Sequence, residues 1–237
     1  MKLVGVLDLY FSDFLTLIKM GVKRCMDKIS LEESLVSTMG RQFGDTGTEL
    51  AEIAIDSVLD DGVLNDIPVV GTAVSLYKTG VAVRERQYVK KLVTFLSELN
   101  KTNEEARLRF IADEMLTSEQ RERFGETILS LIDKADDNRK FELYSKVFER
   151  LFMNACSYND AIRICQMIER TFFSDLQYIL VFEDGCAEDQ LTAGELYKVG
   201  FLSFGGLDGG NFNEQNSGGV IYNRNKYGDI LFELLKN

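Results

Sequence analysis

The sequence predicts a mainly α protein, a multi-helix bundle closed by a small C-terminal α+β unit, on three observations. One proline, Pro68, stands among 237 residues, so almost nothing stops a helix from propagating. Ser30 with Glu33, Thr46 with Glu49, Thr102 with Glu105 and Thr117 with Gln120 all have the spacing of a capping box, in which hydroxyl and carboxyl or amide satisfy each other's orphan N–H groups. The last fifty residues change character, because glycine and asparagine accumulate between two short apolar runs.

Helices are predicted at 4–27, 31–42, 47–60, 68–99, 103–115, 118–135, 138–154, 158–170 and 173–183. The first is apolar on nearly every side, with Leu9, Tyr10, Phe11, Phe14, Leu15, Leu17 and Ile18, and is followed by Lys19, Lys23, Arg24 and Lys28. Such a helix must be covered by a core, a partner or a bilayer. Later helices show one apolar face: Tyr88, Leu92, Phe95, Leu96 and Leu99, then Ile128, Leu131 and Ile132, then Phe141, Tyr144, Val147, Phe148 and Leu151. Towards the end, 187–199 has a helical pattern, 201–204 and 220–223 read as strands, and 227–236 resumes the helical period. The chain divides into an N-terminal helical region (1–100), a helical middle (101–171) and the α+β unit (172–237).

Helix, strand, the loop GGLDGGNFNEQNSGG, strand and helix follow the order of a winged-helix module, which the C-terminal unit resembles. The middle, with its polar corner LIDKADDNRKFELYSKVFERLF, is similar in cadence to the TerB-like helical domains. There Asp133, Asp136, Asp137 and Glu142 correspond in kind to the family's acidic corner, with Asn138 where the family carries glycine. The resemblance implies a link with membrane-associated stress and phage-defence assemblies of bacteria.

Composition narrows the chemistry. The chain has no histidine, which excludes Ser-His-Asp and Cys-His triads, HExxH zinc sites and Cys2His2 fingers. With 27 basic and 38 acidic residues its formal charge is −11, a field that disfavours nucleic acid as a partner. Cys25, Cys156, Cys165 and Cys186 form no CxxC pair and read as reduced thiols, three or more of them in helical cores, in a cytoplasmic protein. Asp8 and Asp13 interrupt the apolar N-terminus and no small-x-small cleavage pattern follows, so a secretory signal is not expected.

Candidate sites are few. Read as an EF-hand from Asp133, the corner places Ala135, Asn138 and Tyr144 where an oxygen ligand, glycine and a bidentate glutamate are required. Asp133, Asp136 and Asp137 are left as the weak metal candidates, a solvated corner being the plainer reading. FGDTGT at 43–48 lacks the lysine of a P-loop. Gly205, Gly206, Gly209 and Gly210 could form an anion nest, which Asp208 opposes, so a wing or hairpin tip is expected. The helix at 187–199 carries Glu188, Asp189 and Glu195 against Lys198, which conflicts with a DNA-reading role.

Residues 67–91 stand out. Gly71, Ser75 and Thr79 recur every fourth residue, a stripe that lets another backbone approach. Arg84, Arg86, Lys90 and Lys91 follow, whereas 45–66 holds seven acids and no base. One reading is a membrane-seeking arm with a basic flank for anionic lipid; the other is a central helix buried along its small-residue side. At about 1.5 Å per residue, 67–83 spans about 25 Å, short of the roughly 30 Å hydrocarbon core. No cofactor and no catalytic constellation is expected. The function expected is a non-enzymatic adaptor or regulator acting through protein partners or self-association. The alternatives are a conditional membrane effector, in which the helices at 4–20, with Phe11, Phe14 and Ile18, and 67–83 leave the bundle and insert, and a winged-helix DNA-binding regulator.

Overall fold

The computed structural model describes residues 29–41, 67–77, 83–210 and 218–236. The helices predicted at 4–27 and 47–60 lie outside these. The described elements are α1 (Leu31–Met39), α2 (Pro68–Tyr77), α3 (Val83–Asn100), α4 (Glu104–Glu114), α5 (Ser118–Lys134), α6 (Lys140–Phe152), α7 (Tyr158–Glu169), α8 (Phe173–Gln177) running into a 3-10 turn (Tyr178–Leu180), β1 (Gly185–Cys186), α9 (Gln190–Val199), β2 (Leu202–Asp208), β3 (Gly219–Arg224) and α10 (Lys226–Lys236). The protein is mainly α with a small C-terminal α+β unit, as its sequence predicts. The stretch predicted as one helix over 68–99 is described as α2 and α3, residues 78–82 lying outside the described set.

Helix starts follow capping chemistry with two differences. Thr117 and Gln120 make the full reciprocal box at the start of α5. Ser30 accepts from Glu33 N–H, but the Glu33 carboxylate turns to the Ser118 hydroxyl and ties α1 to α5. At α4 the cap is Asn103, which accepts from Ala106 N–H, and not Thr102. Thr102 instead donates to Leu99 O (2.7 Å), satisfying a carbonyl at the end of α3. Two adjacent residues can both cap, and the one whose hydroxyl already serves the preceding helix is not free to do so.

α6 is the central helix of the bundle. It packs against α3, α4, α7 and α10 and buries Phe141, Tyr144, Val147, Phe148 and Leu151 along the predicted face. The Lys140 ammonium is fully buried at its start, donating to Glu169 O (2.9 Å) and pairing with Asp136 (2.6 Å). Arg107 is likewise buried and donates to Leu99 O and Thr102 Oγ1, while burial lowers its pKa. Neither buried cation announces itself in the sequence pattern.

The sheet has the order β1-β3-β2, antiparallel throughout. β1 was not anticipated from the sequence, and β2 runs four residues beyond the predicted strand because Gly205 and Gly206 lie within it and not in the following loop. The buried apolar residues from Leu35 to Leu234 form one continuous cluster. Among the described cysteines, Cys165 is buried in α7, Cys156 sits in the α6–α7 turn and Cys186 in β1, so fewer thiols occupy helical cores than expected. Burial pushes the Cys165 thiol up, away from its reactive form.

Candidate functional site

The C-terminal unit is assembled around β3. Gln190, at the start of α9, clamps that strand by donating to Val220 O (3.1 Å) and accepting from Val220 N–H (3.1 Å). One face of α9 then rests on Tyr222: Gly194 leaves room for its hydroxyl, and the Tyr197 ring lies 5.5 Å from its ring. Asp189 caps α9 by accepting from Thr192, which holds its carboxyl below the usual range.

A bulge in β2 decides what this unit shows to solvent. Phe204 opposes Tyr222 and Gly206 opposes Ile221, so Gly205 is an extra residue. Glycine is favoured there, because a Cβ would lie 2.8 Å from both Ile221 Cγ2 and Asn223 Nδ2 and would push these side chains aside. In a regular strand, residues three apart point to opposite faces. With the extra residue, Phe204 and Leu207 oppose Tyr222 and Val220, two apart on β3, and so share a face. Phe204 is 57% exposed and Leu207 74%. Tyr197 extends this apolar surface from α9, whose outer side carries Leu191, 78% exposed, beside the ion-paired Glu195 and Lys198.

Where the unit meets the bundle, a groove of about 660 Å³ runs between α7, the end of α9 and the starts of β2 and α10. Tyr197, Phe204 and Tyr227 supply its apolar walls, and Arg163, Lys198 and Lys226 its charges. Arg163 sits over the Tyr227 ring, 5.2 Å from the centroid. Asp160 fixes this corner by accepting from Tyr227 Oη (2.8 Å), Lys226 Nζ (3.1 Å) and Ser157 Oγ (2.8 Å). Those bonds, with the Tyr227 hydroxyl first, lower its pKa to about 2. Because folding lowers this pKa, the unfolded chain binds the extra proton first as pH falls, and the contribution of Asp160 is present above about pH 4 and lost towards pH 2. A carboxyl titration by NMR should show Asp160 still ionised at pH 3; a midpoint near 4 would mean that these bonds do not form in solution.

The residues singled out from sequence fall elsewhere. At the acidic corner, Asp136 pairs with Lys140, Asp137 with Arg139 and Glu142 with Lys146. The Arg139 guanidinium holds the Asp137 carboxyl below its ordinary value. Among the described residues, no group of three or more carboxylate or thiol side chains is gathered as for a metal. Along α2 the buried residues are Val69, Val70 and Ala73, whereas Gly71 is half-buried and Ser75 exposed, donating to Thr72 O. α2 meets α1 through Val69 N–H on Thr38 Oγ1 (3.2 Å) and through the Ser34 and Thr72 hydroxyls. The small-residue side is therefore not the buried one, which corrects the reading of a helix buried along its stripe. Arg86 and Lys90 are exposed, and Lys91 reaches across to Asp133 O (2.7 Å). Arg84 lies within α3; Phe11, Phe14, Ile18 and Thr79 lie outside the described residues. Among the described residues no helix is long and apolar enough to cross a membrane.

Of the proposed glycine nest, Gly205 and Gly206 belong to β2, and Asp208 accepts from Gly210 N–H (3.0 Å), so a carboxylate already occupies that turn. Phe204, Leu207, Arg163 and Tyr227 were not singled out from sequence. The available signal was the pair of glycines inside the apolar run LSFGGLD, which marks a bulge. The chain matches no family model, no curated protein and no solved structure.

Proposed function

We propose that this protein is a non-enzymatic adaptor or regulator that binds a protein partner, and that the C-terminal unit carries the partner-facing surface. The observation that carries this reading is the exposure of Phe204 and Leu207 on one face of β2, beside Tyr197. Exposed aromatic and aliphatic groups clustered on a soluble fold mark interaction sites, and the bulge at Gly205 is the device that collects them here. The order of helices and strands around β1, β2 and β3 supports a winged-helix-like reading of the unit. In such a unit α9 would face the ligand, and its outer side offers Leu191 and a neutralised Glu195–Lys198 pair, which suits a protein better than a phosphate backbone. The TerB-like cadence of the middle region supports a setting in bacterial stress or phage defence.

A photo-crosslinking amino acid in place of Leu207 should yield a discrete adduct with a second polypeptide in cells of the source, and the same group in place of the exposed Leu116, between α4 and α5, should not. Equal labelling from both positions, or none from Leu207, would remove the reading. A second reading, conditional binding to anionic membrane, draws on the exposure of Ser75, Arg86 and Lys90 along one stretch of chain. Flotation with phosphatidylserine vesicles tests it, and a protein that stays at the bottom of the gradient excludes it.

A further inference from the structure

We infer that the partner presents an acidic, extended segment, which docks along the junction of α7 with the C-terminal unit; this inference rests on the adaptor reading above. A second groove, of about 430 Å³, continues from the first along α7, and the two share Arg163. The second adds Arg170, Gln166 and Tyr158. Together the grooves are lined by Arg163, Arg170, Lys198 and Lys226 and by no carboxylate, in a chain with 38 acidic and 27 basic residues. The sign of this surface is thus opposite to that of the molecule.

Two of these cations have partners. Lys198 pairs with Glu195, an exposed pair worth little, whereas Lys226 is held by Asp160, so the unpaired positive charge of the grooves rests on Arg163 and Arg170. Arg163 on α7 and Arg170, the residue that ends it, make no ion pair with any described residue and are both exposed, seven residues apart, about two turns and about 10 Å along the axis. Met167 and Val199 line the stretch between the two guanidinium forks and Tyr227 lies under Arg163. Each fork, on its long flexible stem, can take a carboxylate of an extended chain whose same-face side chains recur about every 7 Å.

A polypeptide fits better than a polyphosphate for two reasons. β2 is the last strand of the sheet, and its first residues, Leu202, Ser203 and Phe204, line the groove and receive no backbone hydrogen bond from a described element other than β3. Only a polypeptide can complete that ladder. The charge of −11 repels a long polyanion over its whole length, whereas a short acidic peptide is screened from distant charges within about 8 Å and feels chiefly the local cations.

The test is fluorescence anisotropy on the full chain with a labelled peptide that repeats Glu-Phe-Asp-Ser three times. The comparison ligands are its Gln-Phe-Asn-Ser counterpart, a single-stranded oligothymidine and phosphatidylserine vesicles. The acidic peptide should bind about tenfold more tightly than the neutral one and weaken as salt rises, and Arg163→Glu with Arg170→Glu should cost about tenfold again. Both side chains are exposed, so the thermal midpoint should hold; Arg163→Gln with Arg170→Gln is the milder pair should it fall. Equal binding of acidic and neutral peptides, indifference to both arginine pairs, or tighter binding of oligothymidine or vesicles would overturn the inference. If it fails while Leu207 still crosslinks a partner, the adaptor reading stands and only the partner's chemistry is wrong; failure of both removes both.

Discussion

Phe148→Ala is expected to destabilise the fold by about 3–5 kcal/mol, the range for deleting a large aromatic side chain from a packed core. Phe148 is fully buried on α6 and meets rings from two other helices edge-on, Phe95 of α3 at 6.2 Å and Phe124 of α5 at 6.1 Å between centroids. Phe152 stacks on its other side at 6.3 Å, and Phe110 of α4 bridges Phe124 and Phe152 at 5.8 and 5.2 Å. Rings held by four different helices cannot all move into the space that a lost ring leaves, so the cavity persists and the cost falls at the upper end. Urea unfolding checks it. A loss under about 1 kcal/mol would mean that this cluster is not the mechanical centre of the bundle.

Gly125→Ala is expected to lower stability by about 1–3 kcal/mol, although helix propensity alone predicts a gain of about 1 kcal/mol at an interior glycine. The two effects have opposite signs, and geometry decides between them. An added Cβ on α5 would lie 2.5 Å from Glu32 O and 2.7 Å from Glu32 Cα on α1. Those are backbone atoms, which yield only if the whole of α1 shifts, and α1 is also held by the Glu33–Ser118 bond. Hydrogen exchange should therefore accelerate in α1 first. A stabilised variant would show that α1 and α5 stand further apart in solution.

What could be read from the sequence was set by local chemistry. The α5 start is legible because Thr117 and Gln120 carry their whole argument within four residues. The apolar face of α6 is legible because one period places Phe141, Tyr144, Phe148 and Leu151 together. Gly125 was not, since its reason is a backbone 93 positions earlier in the chain. The buried Lys140 and Arg107 were not, since a charged residue can be covered only by partners that folding brings. The candidate surface depends on both kinds of information. Its bulge is announced by two glycines, but the meeting of Arg163 from α7 with Tyr197, Phe204 and Tyr227 follows from how the α+β unit sits on the bundle.

Affinity capture of the tagged full chain from cells of its source, with F204S and L207S combined in one variant and Leu116→Ser as the surface control, tests the central claim most directly. All three side chains are at least half exposed, so the substitutions should leave folding intact. The account predicts a partner recovered with the unaltered chain and with the control, and lost by about tenfold or more with the double variant. Recovery that is the same for all three, or that falls equally for the control, would contradict it.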